Sequence, residues 1–399
     1  MSITISGNGD MSGNYTFAGN VDVTGDTDLN GKLEVPAGDT ASRPATGQAG
    51  EIRFNTDTGK MEYWSSQDFV PKWRDIDEVP VTGPEIDFLV IAGGGGGGSG
   101  YAGGGGGAGG YRTSWGSGNI SGGSSAVETG VQINYGTAYS ITVGAGGAKG
   151  VLNPQQGGDG GDSTFATITS TGGGGGGTYD SGSMEVGRNG GSGGGSGGSY
   201  NAGARSAAGT GTTGQGYVGG IGIKTGSTCW AGGGGGGAGQ AGADGSNTTG
   251  SGKGGDGLAS TITGTSVVRG GGGGGGNHST CAITNEDNGG DGGGGRGRQT
   301  GHGSSVPSDQ AGTANTGGGG GGGGDGHNAP YEGAVGGSGV IILRSVAGVN
   351  AAFSAGTVVN GTTVASDGTN VAGASISGST DILWTITSAS SDTVTFTSA

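Results

Sequence analysis

The sequence predicts an all-β chain in which polyglycine II helices stand in for much of an ordinary hydrophobic core. Three observations predict it. Glycine supplies 114 of the 399 residues, while hydrophobic residues make up only 29%. The glycines recur in uninterrupted runs of similar length: Gly93 to Gly98, Gly103 to Gly107, Gly172 to Gly177, Gly232 to Gly237, Gly270 to Gly276 and Gly317 to Gly324. Several runs directly follow a short apolar strand, as in "IDFLVIAGGGGGG", "STFATITSTGGGGGG" and "STITGTSVVRGGGGGGG". A flexible linker has no reason to repeat that unit. Charged residues amount to 12%, so the charge repulsion typical of disordered chains is missing. Collagen is excluded, because there is no Gly-x-y period and only 8 prolines.

Residues 1–36 form the first element, a hexad repeat. Gly7, Gly13, Gly19, Gly25 and Gly31 are spaced by six. The fifth hexad position is always apolar: Met11, Phe17, Val23, Leu29 and Val35. The third is often so, at Tyr15, Val21 and Leu33. Positions three and five share one face of a strand, so each hexad reads as a short strand with a glycine corner, as in a β-helix. The repeat is too short to cover its own core in one chain. Three chains wound together bury these faces, which predicts a trimerising β stem with those five residues in its core. A meander of short strands is the alternative reading.

Residues 37–84 predict a small β module. After a linker, "EIRFNTDTGKMEYW" reads as a hairpin, with Ile52 and Phe54 alternating on one strand and Met61 and Tyr63 on the other. Trp64, Phe69 and Trp73 are candidates for its core.

Residues 85–345 are the glycine-rich domain. Polyglycine can adopt the threefold polyproline II conformation, which makes no internal hydrogen bonds and rises ~3.1 Å per residue. Without Cβ atoms such helices can lie close together and bond to one another through their backbones. Six to eight glycines then span roughly 19–25 Å, and the similar run lengths set the thickness of one bundle. Ordering glycine is entropically costly, so the bundle needs a β frame. Candidate frame strands are Ile86 to Ala92, Tyr139 to Val143, Thr164 to Ser170 and Gly339 to Arg344. A disordered glycine tract is the alternative. Residues 346–399, ending in "DILWTITSASSDTVTFTSA", predict a C-terminal β domain.

Several function classes drop out. The net charge is −15, against the cationic footprint that nucleic-acid binding needs. No P-loop pattern occurs, and G-x-G-x-x-G matches carry no information at this glycine content. Neither cysteine, Cys229 nor Cys281, belongs to a CxxC or Cys/His cluster, so zinc is not expected; isolated thiols are favoured over a pair. "NEDNGGDGG" and "QQGGDGGDS" offer oxygen ligands, but the calcium patterns are incomplete. No metal, cofactor or catalytic residue is expected, and the chain is not expected to be an enzyme. The start "MSITISGNGD" has no signal-peptide pattern, and no apolar run approaches the ~20 residues of a membrane helix. Synthesis in a cytoplasm and no membrane insertion are the expectations.

Two stretches resemble known families. "TASRPATGQAGEIRFNTDTGKMEYWSSQDFVPKWRDI" resembles a module recurrent in bacteriophage tail fibre and related virion proteins. "FLVIAGGGGGG…GGYRTS…YSITVGAGG…STFATITSTGGGGGG…GSGVIILR" resembles the glycine-rich domain of many phage fibres and adhesins. In such adhesins polyglycine helices carry variable loops that contact the host. The resemblance implies a homotrimeric virion fibre, assembled in the host cytoplasm, joined to other virion proteins at one end and to a surface glycan or outer-membrane receptor at the other. The segments between glycine runs then supply the contacts, with Trp115, Tyr179, Tyr200, Trp230, His278, His302, His327 and Tyr331 as candidate receptor-binding residues, and Tyr101, Tyr111 and Tyr217 punctuating the same segments. Packing of the bundle is the alternative role for each. A non-adhesive capsid or tail appendage, or an extracellular filament subunit, is the alternative function.

Overall fold

The computed structural model describes residues 35–43, 51–65, 72–75, 82–116, 120–151, 154–179, 183–199, 206–225, 229–278, 281, 289–298, 310–325 and 332–399. The chain divides into two units, Met1–Val79 and Pro80–Ala399. Among the described residues there is no α-helix; the regular elements are strands and two short 3₁₀ turns. The hexad positions Met11, Phe17, Val23 and Leu29 lie outside the described residues. Val35 is described, half-buried and outside any strand.

In the first unit, Ala37–Gly38, Ile52–Asn55, Lys60–Ser65 and Lys72–Asp75 form a four-stranded sheet in that order. The hairpin pairs Ile52 with Tyr63 and Phe54 with Met61, the alternation the sequence suggests. Its more deeply buried face is nonetheless polar. Ile52 is 46% exposed, whereas Arg53, Asn55 and Glu62 are buried. Pairing offsets the burial of most of these groups, although Arg53 Nη1 has no hydrogen-bond partner among the described residues. Glu62 accepts from the Arg43 guanidinium and from Asn55 Nδ2 at 2.7 Å, and Arg53 Nη2 donates to the Asp39 carbonyl at 2.9 Å. Burial pushes the Glu62 carboxyl up, but the Arg43 and Asn55 bonds outweigh it and hold the group below its ordinary range. Trp64 is buried and meets Trp73 edge to face at 5.6 Å; Phe69 lies outside the described residues.

The second unit has two large sheets. One runs, in spatial order, Thr362–Thr363, Val358–Val359, Ile382–Ser388, Val340–Ser345, Thr82–Ile91 and Tyr111–Thr113, with Ala374–Ser375 and Val131–Asn134 attached to its longer strands. The other runs Ile168–Ser170, Ser163–Phe165, Ala138–Thr142, Asp392–Ser398, Val349–Phe353 and Thr369–Val371. A core of Phe88, Val90, Ile341, Leu343, Trp384 and Ile386 from the first meets Ile141, Phe165, Phe353, Val394 and Phe396 from the second. On the opposite side of the first sheet Leu89, Ile91, Val340 and Ile342 pack with Tyr111, Ala238 and Ile262. "FLVIA" and "VIIL" are therefore continuous apolar runs because both strand faces are covered. The C-terminal segment, expected as a domain of its own at 346–399, contributes strands to both sheets. Ile382–Ser388 pairs with Val340–Ser345, and Asp392–Ser398 pairs with Ala138–Thr142.

The glycine runs leave this frame and bond sideways. Gly93, Gly94 and Gly95 donate their N–H groups to the carbonyls of Gly161, Gly337 and Gly107. Three residues on, Gly96, Gly97 and Gly98 donate to Gly158, Ala334 and Gly104, on the same three neighbours. Their carbonyls accept with the same period: Gly93 and Gly96 from Gly173 and Gly176, Gly94 and Gly97 from Gly147 and Gly150, Gly95 and Gly98 from Gly320 and Gly323. One run thus has six hydrogen-bonded neighbours, antiparallel where it donates and parallel where it accepts. The run at 232–237 is also enclosed by six neighbours, bonding to segments around Gly105, Ser196, Gly220, Ala243, Gly252 and Gly273. A side chain inside this array has no room. A Cβ on Gly320 would sit 2.2 Å from the Ala334 carbonyl oxygen.

Carboxylates close the array where neighbouring runs are missing. Gly175 N–H donates to Asp159 Oδ1 at 3.0 Å and Gly172 N–H to Asp162 Oδ1 at 2.7 Å. Asp159 is also held by Arg188 through two bonds of 2.7 and 2.6 Å. "QQGGDGGDS", read as a source of cation ligands, here supplies acceptors for backbone donors.

Candidate recognition surface

The bundle has two distinct ends. At one, the runs meet the sheets: Ala92 N–H bonds to the Gly110 carbonyl, Gly317 N–H to Ser338, and Gly339 N–H to Gly144. At the other, side chains return. Gly98 leads to Ser99 and Tyr101, Gly177 to Thr178 and Tyr179, Gly276 to Asn277 and His278, and Gly324 to Asp325, while Trp230 precedes the run that starts at Gly232. These segments are tied together across long sequence distances. Thr178 Oγ1 donates to the Ser99 carbonyl at 2.8 Å, His278 N–H to the Trp230 carbonyl at 2.9 Å, and Asp325 N–H to the Asn277 carbonyl at 3.1 Å.

Four aromatic rings close a circuit at this far end. Tyr101 meets Tyr179 edge to face at 5.5 Å, Tyr179 meets Trp230 at 5.8 Å, Trp230 meets His278 at 4.2 Å, and His278 returns to Tyr101 at 5.7 Å. All four are half-buried. The Lys224 ammonium lies 5.6 Å from the Trp230 ring centroid, within the range of cation–π attraction. His278 Nε2 lies 3.4 Å from Asp325 Oδ2. Burial lowers the His278 pKa, against the opposing pull of Asp325.

Trp230 reaches this position because of a hairpin. Ile223–Thr225 pairs with Cys229–Ala231, with Lys224 opposite Trp230. Alternation puts Cys229 and Ala231 on the buried face with Ile223, and Trp230 on the other. The two cysteines, expected as isolated thiols, form a disulfide with Cα atoms 4.8 Å apart. It joins residues 52 apart in sequence, and no spacing motif announces it. The signal available was proximity to aromatics: Cys229 precedes Trp230, and Cys281 follows His278 by three.

Of the candidate receptor-binding residues, Tyr179, Trp230 and His278 come together. Trp115 lies elsewhere, beside the sheets. The Arg344 guanidinium sits 3.7 Å from its ring centroid, its Nε1 donates to Thr261 Oγ1 at 3.2 Å, and it packs on the second core. Tyr200, His302, His327 and Tyr331 lie outside the described residues. Tyr101 and Lys224 complete the cluster although the aromatic pattern alone did not rank them. Tyr111 is buried in the frame, and burial pushes its phenol up to about 12. Among the described residues no cluster of three or more His, Cys, Asp or Glu is placed to hold a metal ion, and no helix is long and apolar enough to cross a membrane.

These features define an all-β frame carrying a laterally bonded glycine array with side chains gathered at its free end. The family described as a glycine-rich domain matches residues 76–346, which covers the bundle and half of the strands of its frame. The chain belongs to this glycine-rich domain family. No curated protein and no solved structure matches it significantly.

Proposed function

We propose that the glycine runs are polyglycine II helices and that the chain is a virion fibre protein, attaching to the host cell surface through loops at the far end of the bundle. The three-residue period of the lateral hydrogen bonds supports the first part. Beyond their first residues, Gly270 and Gly317, no glycine of the six runs has positive φ, in keeping with one threefold hand. The observation that carries the second part is the segregation of side chains: Tyr101, Tyr179, Trp230 and His278 gather at the end remote from the frame. A glycine face presents only paired backbone groups. Aromatic rings and their polar neighbours offer stacking and hydrogen bonding to a glycan or an outer-membrane protein. Homotrimer formation through Met11, Phe17, Val23, Leu29 and Val35, and docking of one end to other virion proteins, belong to the same proposal.

A non-adhesive appendage is the second reading, favoured by the contacts that the four rings make with one another. Host-cell binding by the purified full chain separates the two. Tyr179→Ala and Trp230→Ala, singly and together, lower binding under the first reading. Trp115→Ala, at the frame end, does not. Equal binding by all these variants, with assembly intact, rejects attachment through this cluster. Truncation at Ser345 is unsuitable as a control, because it removes strands from both sheets of the frame.

A further inference from the structure

At the far end of the bundle one covalent bond, between Cys229 and Cys281, adds to the backbone bonds and ring contacts. The cluster beneath the hairpin comprises Ile223, Cys229, Ala231 and Cys281, and two of these four are the disulfide cysteines. The aromatic ring stands on the other side of the same strand. His278 N–H bonds to the Trp230 carbonyl, and Cys281 N–H in turn bonds to the His278 carbonyl at 3.0 Å. An isolated bridge pairs Asn277 with Ala231. The disulfide therefore pins the segment carrying His278 to the hairpin carrying Trp230. The glycine array does not depend on it in this way, since runs such as 93–98 are bonded to six neighbours of their own.

We propose that Cys229 and Cys281 form a thiol–disulfide switch that sets the order of the far-end aromatic ring, leaving the glycine array unchanged in both states. In a glutathione-buffered cytoplasm such a pair stays reduced, and in an oxidising exterior it closes. The oxidant is a small-molecule disulfide. One cysteine loses its proton to solvent, and its thiolate attacks a sulfur of that disulfide, expelling one thiolate. The second cysteine, likewise deprotonated, attacks the resulting mixed disulfide. It forms the Cys229–Cys281 bond and expels the second thiolate. Two electrons pass from the protein to the oxidant, which leaves as two thiols. Both cysteines are buried once the ring is closed, at 5% and 7% exposure, so reduction and reoxidation require the far end to open. The switch goes beyond the attachment reading, because it concerns the order of the ring whichever partner the ring meets.

The test uses the full chain, equilibrated with oxidised glutathione or with a phosphine reductant, and reads amide hydrogen exchange. The probes are the N–H groups of His278 and Cys281. The controls are those of Gly95 and Gly235, both bonded at 2.8 Å inside the array. Reduction should speed exchange at His278 and Cys281 at least tenfold and leave Gly95 and Gly235 within twofold. The double variant Cys229→Ser/Cys281→Ser should show the reduced pattern with or without reductant; should it not fold, reduction of the wild-type chain decides alone. Unchanged exchange at His278 on reduction overturns the proposal. So does equal acceleration at Gly95 and Gly235, which would make the disulfide a staple of the whole bundle. Two titratable thiols persisting in oxidised glutathione overturn it as well.

Discussion

Trp230 makes three kinds of contact: edge-to-face packing with Tyr179 and His278, cation–π attraction from Lys224, and a backbone bond that seats His278. Truncating an aromatic anchor of a binding surface typically costs about 2–4 kcal/mol of affinity. Trp230→Ala should therefore weaken cell binding at least tenfold in a titration of labelled protein, while the melting of the bundle stays in place. Gly320 makes the opposite prediction. Gly320→Val forces a side chain against the Ala334 carbonyl oxygen. It should destabilise the glycine domain by about 1–3 kcal/mol or more, measured by thermal denaturation, with no direct effect at the far end. Trp115 and Trp230 look alike in the sequence, each flanked by small residues. What separates them is the arrival of Arg344 over one ring and of His278 beside the other, and neither approach has a local signature.

Lateral bonding turns each glycine run into an element with a period of three, and the aspartates follow that period. Asp159 and Asp162 are three residues apart and cap Gly175 and Gly172, also three apart. Asp159→Ala should leave the Gly175 N–H without its acceptor and cost about 1–3 kcal/mol, whereas Asp159→Asn, which keeps an acceptor oxygen, should cost less; chemical denaturation of both variants distinguishes them. Asp256 gives the pH dependence. Burial raises its pKa, but Lys253 and the Asp291 N–H outweigh burial and hold the carboxyl below its ordinary value. A depressed carboxylate stabilises the folded state above its unfolded pKa of about 4, and the contribution fades as pH falls through the lower folded pKa. Stability should decline below about pH 4, and Asp256→Asn should flatten part of that slope in melts run from pH 6 to 3. The run lengths and the strand-to-glycine units made the array legible in the sequence. The role of the aspartates was not, because a carboxylate accepting from a backbone N–H and one awaiting a cation are written with the same letters.

At the scale of the whole molecule, the frame strands Ile86 to Ala92 and Gly339 to Arg344 could be read from their apolar runs, and the structure pairs them with each other. The C-terminal strands were legible as strands but not as partners of the frame, since alternation in "DILWTIT" and "DTVTFTS" says which face is buried and nothing about what covers it. The N-terminal repeat leads to the last prediction. The full chain should have the native mass of three copies by light scattering at micromolar concentration, and Phe17→Asp together with Val23→Asp should lower that mass.

The interleaving of late and early strands also has a consequence for synthesis. Thr82–Ile91 pairs with Val340–Ser345, which pairs with Ile382–Ser388, and Ala138–Thr142 waits for Asp392–Ser398. A ribosome delivers the glycine runs long before the strands that complete the frame. Since closing such long-range contacts is slow, the frame beneath the glycine-rich stretch is incomplete until translation has passed residue 398. Translation that ends before residue 398 would then release a chain whose glycine segments have no completed scaffold on which to order.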